Sequence, residues 1–409
     1  MSSGLARMEI KAEGTRPDER AASDIVKRRS DNSNLRILMT CTHPGIHGAK
    51  PRIIAMLASS LREAGQTLDT AAWGRHSEDE SWTTKLLGRC SDLLHIRRCL
   101  ARGNYDVLFV HTQHDWRTLA RDIPLAVLGR RFCPAILLEF HGSQSNRLVF
   151  SGDRAFKAAS RLLLKHCHGV FVLSMEEMKE WRSFYGKPSY YVVRNPFCAD
   201  PELTESTAST PSPRRADTPT ILFVGRLIRA KGIYELLSAV ANIAQDCPCR
   251  LLMVGDGPEA EPVKHRITEL GIQGRTTLAG HLTGADLIAA YRTASVFTLP
   301  SYSEGFPTVI SEAMAAGLPI VTTRIRGAAD HLAEGVNVLF VSPQDVVALA
   351  RALRTLLQDA DQRAHMGAAN LAKVREFAPS KVVQDYVAAI KDVLGQSRSH
   401  RRSPVRTGE

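Results

Sequence analysis

The chain has 409 residues, 44% of them hydrophobic and 23% charged, and its formal net charge is +11. This length exceeds one ordinary hydrophobic core, so two domains of roughly 150–200 residues are expected. The composition is that of a globular protein, and it argues against a membrane-spanning helix, since no apolar run approaches the roughly 20 residues that such a helix needs.

The N-terminal half is predicted to be a doubly wound α/β domain. Residues 1–34 are polar and mixed in charge, which predicts a disordered tail rather than a secretory signal. An apolar strand at 35–40 is followed by a glycine-containing loop and by helical periodicity at about 52–63, the order in which nucleotide-binding domains open. Further buried strands are predicted from continuous apolar runs, which favour a parallel sheet covered on both faces, at 106–111, 135–141, 169–173 and 190–193.

Residues 85–102 predict a basic amphipathic helix in this half. Leucines are expected to pack on the sheet and arginines to face solvent, namely Leu86, Leu93, Leu94 and Leu100 against Arg97 and Arg98. The alternative is docking to an anionic membrane that carries a lipid-linked acceptor. Between residues 35 and 200 there are 23 Lys and Arg against 15 Asp and Glu. This surplus suggests nucleic acid, an anionic membrane or an acidic acceptor, with simple solubility as the alternative.

A composition change separates the two halves. Residues 197–219 are rich in Ser, Thr, Pro and Ala and predict a linker, which bounds the N-terminal domain at 35–196. A second series of βα units follows at 220–379, and residues 380–395 predict an amphipathic helix that closes this second domain. Residues 396–409 predict a disordered basic tail. Two similar α/β halves imply a ligand cleft at the carboxyl ends of their strands.

The first strand of the second half leads into a basic loop. The strand ends at Val224, Gly225 turns the chain, and Arg226 and Lys231 project from the loop before the next helix. Two cations at the carboxyl end of a strand suit a diphosphate, because they neutralise charge on a departing nucleotide. A pair of surface cations beside a turn is the alternative.

Residues 299–321 hold the most informative motif. Glu304 lies in a loop, a turn follows, and Glu312 stands eight residues on in a short helix. Pro307 suits the first turn of that helix, and Gly317 with Pro319 ends it. An exposed helix N-terminus attracts phosphate, and a carboxylate accepts hydrogen bonds from vicinal sugar hydroxyls, so a nucleotide sugar fits both. The alternative is that both glutamates are solvated surface groups.

This motif resembles the donor-site signature of the family-4 retaining glycosyltransferases, in which two glutamates lie eight apart around a Gly-aromatic-Pro turn. The basic loop is similar to their Gly-Arg-Leu…Lys-Gly pattern. The resemblance covers residues 35–395 and implies the GT-B fold, an α/β architecture of two Rossmann-like, doubly wound parallel-sheet domains that face each other across a cleft.

The resemblance also implies roles for residues at the donor. Glu312 is expected to bind the ribose hydroxyls, while Glu304 holds the donor sugar and Arg226 and Lys231 stabilise the leaving diphosphate. His141, at the end of a predicted strand, is expected to contact the donor sugar, with a satisfied imidazole as the alternative. The remaining donor-binding residues implied are Gly45, Gly48, Gly225, Gly255, Gly257, His281, Leu282, Gly305, Phe306, Pro307 and Thr308. Arg324, Arg326 and Asp330 depart from the commoner family pattern and are candidates for tuning donor or acceptor choice.

The implied reaction moves a sugar from a nucleoside diphosphate sugar to a glycan or lipid-linked acceptor with retention of configuration and without a required metal or other cofactor. The eight cysteines are scattered and predict reduced packing residues rather than a metal site. Exopolysaccharide or surface glycan assembly is expected, in the cytoplasm or at the inner face of a bacterial membrane.

Two alternatives stay open, namely a sugar-nucleotide epimerase or hydrolase on the same scaffold and a nucleotide-sugar-binding protein without catalysis. A nucleic-acid partner is disfavoured, because the basic residues are not interleaved with aromatic ones.

Overall fold

The structure is a computed structural model that describes residues 34–46, 48–77, 80–150, 152–205 and 218–402. Most of the predicted N-terminal tail (1–33), the centre of the predicted linker (206–217) and the last residues of the chain (403–409) lie outside these ranges.

The N-terminal unit is built on a six-stranded parallel sheet of order β2-β1-β3-β4-β5-β6. The strands are β1 Arg36–Cys41, β2 Thr67–Ala72, β3 Val107–Thr112, β4 Ala135–Phe140, β5 Gly169–Val172 and β6 Ser189–Val192. The helices are α1 Ala49–Glu63, α2 Trp82–Gly103, α3 Trp116–Gly129, α4 Ser145–Phe150, α5 Arg154–Lys165 and α6 Met175–Phe184. The predicted parallel sheet is confirmed. Strand β2 escaped prediction because it lies at the sheet edge with most of its residues outside the core.

The C-terminal unit repeats the plan with a second parallel sheet of order β12-β11-β10-β7-β8-β9. Its strands are β7 Thr220–Val224, β8 Arg250–Val254, β9 Thr276–Gly280, β10 Val296–Leu299, β11 Ile320–Thr323 and β12 Val338–Val341. Its helices are α8 Ile233–Ile243, α9 Ala260–Glu269, α10 Gly284–Thr293, α11 Thr308–Ala315, α12 Arg326–His331, α13 Val346–Gln358 and α14 Ala360–Val374. The predicted second α/β half is thus confirmed.

The predicted linker begins with ordered structure. A short helix, α7 (Pro201–Glu205), follows the N-terminal unit, and Leu203 is buried in the core of the C-terminal unit. Proline at the first helical position favours this helix, because its missing N–H would have no intrahelical partner there. The start of the linker therefore packs on the second unit.

The last helix, α15, differs from prediction in length and in place. It spans Pro379–Arg402, so residues 396–402, which the sequence analysis assigned to a disordered tail, continue the helix. Gly395 does not end the helix, and Ser189 Oγ donates a hydrogen bond to Gln396 Oε1 (2.6 Å). Val382, Tyr386 and Ile390 are buried in the core of the N-terminal sheet. The helix therefore completes the first unit rather than closing the second.

Helix α2 is only partly oriented as predicted. Leu100 is buried and Leu93 half-buried, but Leu94 is 50% exposed and joins Leu87, which is 69% exposed. The prediction for Leu94 is wrong because successive helical residues differ by about 100°, which turns Leu94 away from the face that Leu93 and Leu100 share. The side chain of Leu86 lies outside the described ones. Across the described part of the chain, no helix is both long and apolar enough to cross a membrane.

Candidate active site

A cavity of about 260 Å³ is lined by residues of both units. The N-terminal unit contributes Lys50 from the start of α1 and residues that follow strands of its sheet, including Leu173 and Asn195. Eight of the predicted site residues line this cavity, namely His141, Gly225, Lys231, Glu304, Gly305, Phe306, Pro307 and Thr308. The sequence-based cluster is therefore brought together at the carboxyl ends of the strands, where ligands of open parallel sheets bind.

Lys231 and Glu304 form an ion pair at this cavity, with the ammonium donating to Glu304 Oε1. Both side chains are about one-fifth exposed (18% and 20%). Gly232 makes their approach feasible, because its φ is +68° and a Cβ there would lie 2.1 Å from the carbonyl oxygen of Pro300. The carboxylate therefore holds the ammonium group where an anion entering the cavity would meet it.

Helix α11 points its N-terminus into the same cavity. Its N-cap, Pro307, makes no side-chain hydrogen bond, and Thr308 and Val309 line the cavity wall. Ile310 and Met314 are fully buried and anchor the helix in the C-terminal core. The positive end of the helix dipole and its first backbone N–H groups thus face the cavity, an arrangement that favours phosphate.

Phe306 contributes backbone rather than its ring. The ring stacks on Phe377 with centroids 5.0 Å apart and is 6% exposed, within the core of the C-terminal unit.

Glu312 is held by partners that the sequence analysis did not identify. The Tyr291 hydroxyl donates to Glu312 Oε2 (2.8 Å), and Arg52 Nη2 of the other unit lies 3.6 Å from Glu312 Oε1. Burial and the neighbouring carboxylate raise the pKa of Tyr291 well above its usual range, so the phenol remains a donor. Arg52 lies two residues after Lys50, in the first turn of α1. This Lys-x-Arg spacing is the sequence signal that could have identified Arg52 as a residue near the site.

A buried cluster of histidines and a carboxylate lies behind the cavity wall. His111 Nδ1 is 3.1 Å from His141 Nε2 and 3.2 Å from Glu139 Oε2. The hydroxyl of Tyr386 on α15 donates to Glu139 Oε1 (2.8 Å), and Lys50 donates to the His111 carbonyl oxygen (3.5 Å). This cluster fixes the ring of His141, whose Nδ1 has no hydrogen-bond partner among the described residues. The same three side chains, His111, Glu139 and His141, have the spacing that would allow a metal ion.

Burial sets the protonation of this cluster. It lowers the pKa of His141 to about 3, so the imidazole is neutral at neutral pH. Burial, reinforced by Arg121, lowers the pKa of Lys50 to about 8. For Glu139 burial alone would raise the pKa, but His141, His111 and the Tyr386 hydroxyl outweigh it and hold that pKa below its usual range. The cluster therefore holds a carboxylate beside the neutral imidazole of His141 and the ammonium group of Lys50.

Two predicted glycines serve the packing of loops beside the cavity. A Cβ on Gly255 would lie 2.0 Å from the carbonyl oxygen of Gly225, and one on Gly257 would lie 2.4 Å from that of Leu227. The loops after β7 and β8 are joined by a backbone hydrogen bond from Leu227 to Asp256 (2.9 Å). Small residues are thus required here for close approach of backbone to backbone.

Several predicted residues do not line the cavity. Besides Gly255, Gly257 and Glu312, these are Arg226, His281, Leu282, Gly45 and Gly48. Arg226 and His281 are exposed, and Leu282 packs against the core of the C-terminal unit. Gly45 and Gly48 adopt positive φ values of +88° and +130° in an exposed loop. Their donor-binding roles remain predictions.

Arg326 and Asp330, expected to tune donor or acceptor choice, lie at a contact between the units. Arg326 Nη2 is 3.2 Å from Glu180 Oε2 and its Nη1 donates to the Ser143 carbonyl oxygen (3.4 Å). Asp330 Oδ2 accepts a hydrogen bond from the backbone N–H of Met175 at the start of α6 (2.6 Å). These bonds position α6 of the first unit against α12 of the second.

Solved structures share this whole architecture. The sucrose-phosphate synthase of Thermosynechococcus elongatus matches 89% of this chain and all of its own with a TM-score of 0.70 at 20% identity. The Anabaena protein HepE in complex with UDP and glucose matches 88% of this chain and all of its own with a TM-score of 0.66 at 18% identity. The fold is GT-B, with two six-stranded parallel sheets and flanking helices, and the predicted fold class is confirmed.

Sequence comparison identifies the C-terminal unit. Residues 205–373 match the family described as Glycosyl transferases group 1. The D-inositol 3-phosphate glycosyltransferase of Corynebacterium glutamicum (strain R) is 32% identical over 241 residues, which is 55% of this chain and 57% of that protein. The glycogen synthase of Mycobacterium tuberculosis is 29% identical over 191 residues, 45% of each chain. This chain therefore spans about half the length of these relatives, and the match to the group 1 glycosyltransferase family lies almost wholly in its second unit.

Proposed function

We propose that this chain transfers a sugar from a nucleoside diphosphate sugar to an acceptor hydroxyl and retains the anomeric configuration. One observation carries the proposal. Lys231 and Glu304 meet at the N-terminus of α11, with Glu312 one helix turn behind, inside a group 1 glycosyltransferase domain. The arrangement offers a cation and a helix N-terminus for phosphates and two carboxylates for hydroxyls.

The roles follow from position. Lys231 and the first N–H groups of α11 bind the diphosphate, and exposed Arg226 reaches it from the same loop. Glu312, held by Tyr291, accepts hydrogen bonds from the ribose hydroxyls, and Glu304 accepts from the sugar. When the bond between the anomeric carbon and the phosphate oxygen breaks, its electron pair stays on the diphosphate, and the nearby cations stabilise that charge.

Catalysis in this proposal rests on positioning and electrostatics. Neutral His141 lines the cavity on the side of the N-terminal unit, where it is proposed to contact the donor sugar. Approach of the two units about the linker and α15 excludes water from the donor, which protects it from hydrolysis.

The acceptor is proposed to be a glycan or a lipid-linked sugar in the assembly of a bacterial surface polysaccharide. Leu87 and Leu94 lie seven residues apart on one exposed face of α2, and Arg97 and Arg98 are exposed further along the same helix. Apolar and basic side chains together favour an anionic membrane surface. The site of action would then be the inner face of the membrane.

The first test is nucleotide release. HepE was solved in complex with UDP and glucose, so UDP-glucose is the first donor to assay, followed by GDP- and ADP-sugars. Lys231→Ala and Glu312→Ala are each expected to lower kcat/KM about 100- to 1000-fold, since each removes a charged contact of about 2.7–4 kcal/mol. Lys264→Ala, an exposed lysine of the same unit, is the matched control and should keep full activity. Full transfer by both active-site variants would refute the proposal.

Product analysis without acceptor separates the alternatives. Release of an epimer or of free sugar as the main product would favour an epimerase or hydrolase, and absence of nucleotide-sugar binding in calorimetry would favour a protein without this activity.

A further inference from the structure

Two histidines and a carboxylate converge near the carboxyl ends of β1 and β2, and none of the three lines the cavity. His43 lies in the loop after β1, His76 in the loop after β2 and Asp92 on helix α2. His43 Nε2 is 3.0 Å and His76 Nε2 is 3.2 Å from the same atom, Asp92 Oδ2. The proposed transfer reaction does not use these residues.

The geometry of the three donor atoms suits a metal ion. All three lie within 4.8 Å of one another. Ligand atoms about 2.0–2.2 Å from Zn²⁺ in tetrahedral geometry are roughly 3.3–3.6 Å apart, close to the distances of 3.0 and 3.2 Å from the two histidine nitrogens to the carboxylate oxygen. Two imidazoles and one carboxylate are also the donor set of catalytic zinc sites and of the sites for other first-row transition ions.

Helix α2 is shaped to receive the His76 ring. A Cβ on Gly88 would lie 2.7 Å from His76 Nε2 and 2.9 Å from the ring carbon Cδ2. Gly88 and Asp92 are four residues apart and share a helix face. Because Gly88 has no side chain, the His76 ring can approach the Asp92 carboxylate. Glycine inside a helix costs about 1 kcal/mol relative to alanine, and here it gives room for this contact.

The backbone of His76 is also fixed. Its N–H donates to the Glu80 carboxylate, and Arg89 of α2 holds that carboxylate through an ion pair (2.9 Å). Such supporting contacts orient metal-binding side chains in known sites.

The site is enclosed on one side and open on the other. Asp92 is buried, whereas the side chains of His43 and His76 are 15% and 30% exposed. An ion could therefore enter from solvent and keep water as a further ligand. The rings of His43 and His76 have centroids 3.6 Å apart and are tilted by 30°, so they must separate for both Nε2 lone pairs to reach one ion. Hard cations such as Mg²⁺ are disfavoured because two of the three donors are imidazole nitrogens.

We propose that His43 Nε2, His76 Nε2 and Asp92 Oδ2 form a site for a divalent first-row transition metal ion of the Zn²⁺ type. The ion joins the loop after β1 to the loop after β2 and to α2. Because the loop after β1 leads into α1, the ion also steadies the segment that carries Lys50 to the cavity. The sequence showed no metal motif because these three residues are far apart in the chain.

The test measures metal, so its failure and a failure of the proposed transferase activity are distinguishable. Untagged full-length protein is stripped with chelator and titrated with Zn²⁺ or Mg²⁺ in a calorimeter and in thermal unfolding. One equivalent of Zn²⁺ is expected to bind and to raise the Tm, whereas Mg²⁺ should do neither. Asp92→Asn and His76→Ala are expected to weaken Zn²⁺ binding by more than about tenfold. His265→Ala, which changes an exposed histidine of α9, should not.

Cobalt identifies the ligands. Co²⁺ is expected to give visible bands of nitrogen and oxygen coordination in the unmodified protein, and Asp92→Asn should remove them. A sulfur-to-cobalt charge-transfer band would place the ion at cysteine, for example at Cys99 near His95 of the same helix, and would overturn the assignment. Zn²⁺ binding that is unchanged in both ligand variants, or absent from the unmodified protein, would overturn it as well. Asp92→Asn preserves side-chain shape, so circular dichroism of this variant separates lost binding from lost folding.

Discussion

Tyr291 illustrates how a single hydroxyl orients a proposed donor-binding carboxylate. Its hydrogen bond to Glu312 spans 2.8 Å, and the phenol is buried. A hydrogen bond to a charged group contributes about 1.5–3 kcal/mol, so Tyr291→Phe is expected to raise the KM for the sugar donor roughly tenfold or more with little change in Tm. Steady-state kinetics measures this effect. Tyr190→Phe, which removes a hydroxyl that donates to the Tyr185 carbonyl oxygen, is the control. An unchanged KM would show that Glu312 does not depend on Tyr291.

His114 makes the N-terminal unit sensitive to acid. The ring packs against Phe156 and Trp181, and burial, with Arg147 nearby, lowers its pKa to about 3 from an ordinary value of 6.5. Because the folded pKa lies below the unfolded one, the unfolded state binds the extra proton in this window. Stability is therefore present above about pH 6.5 and lost as the pH falls toward 3, by up to about 1.4 kcal/mol per pH unit.

Urea unfolding at several pH values, followed by tryptophan fluorescence, measures this loss. His114→Gln is expected to reduce the slope below about pH 6.5 by up to about 1.4 kcal/mol per pH unit, because one titrating group is gone while His141 still contributes. His265→Gln changes an exposed histidine and should leave the slope as it is. Equal slopes in all three proteins would contradict the assignment to His114.

Five of the eight predicted residues that line the cavity come from one continuous segment, 304–308. Glu304, the turn after it and Glu312 fall within nine residues of each other, so a local pattern exposes them. Tyr291 and Arg52 approach Glu312 from other elements, and one of them from the other unit. Their proximity depends on the tertiary fold, which local pattern does not encode.

At the scale of elements, α2 combines packing with an exposed apolar face. Leu87→Ser with Leu94→Ser is expected to reduce binding to vesicles of anionic lipid severalfold, because both side chains are largely free of the core. Cosedimentation measures the bound fraction. Leu162→Ser alters a 45% exposed leucine of α5 and serves as the control. Equal binding of the double variant and the unmodified chain would remove α2 from the proposed membrane contact.

The sequence predicted the buried central strands of the N-terminal sheet, but it did not predict the edge strand β2. Strands β3 and β4 are buried at every position and appear in the sequence as continuous apolar runs. Strand β2 is largely outside the core, and the pairing with β1 supplies its stability. For α15, periodicity indicated the helix but not its partner, since an apolar face does not specify which sheet it covers.

At the scale of the whole molecule, Arg326 connects the two units through its ion pair with Glu180. Its side chain and that of Glu180 are only 9% and 13% exposed, and breaking such a pair leaves a poorly solvated charge. Arg326→Ala is expected to destabilise the contact by about 3 kcal/mol and to increase the radius of gyration in solution scattering. Arg324→Ala, whose ion pair with Glu334 is exposed, is the control. In a double-mutant cycle with Glu180→Ala, additive effects would contradict a direct coupling.

The position of α15 sets an order of events during synthesis. The N-terminal sheet leaves the ribosome first, but Tyr386, which packs on Phe171 and donates to Glu139, is made only after the whole C-terminal unit. Until then a face of the early unit lacks its apolar cover, and the carboxylate of Glu139 lacks the hydrogen bond from Tyr386. Maturation of the first half therefore waits for the last helix, so a nascent chain stalled before residue 379 should be open to chaperones and proteases on that face.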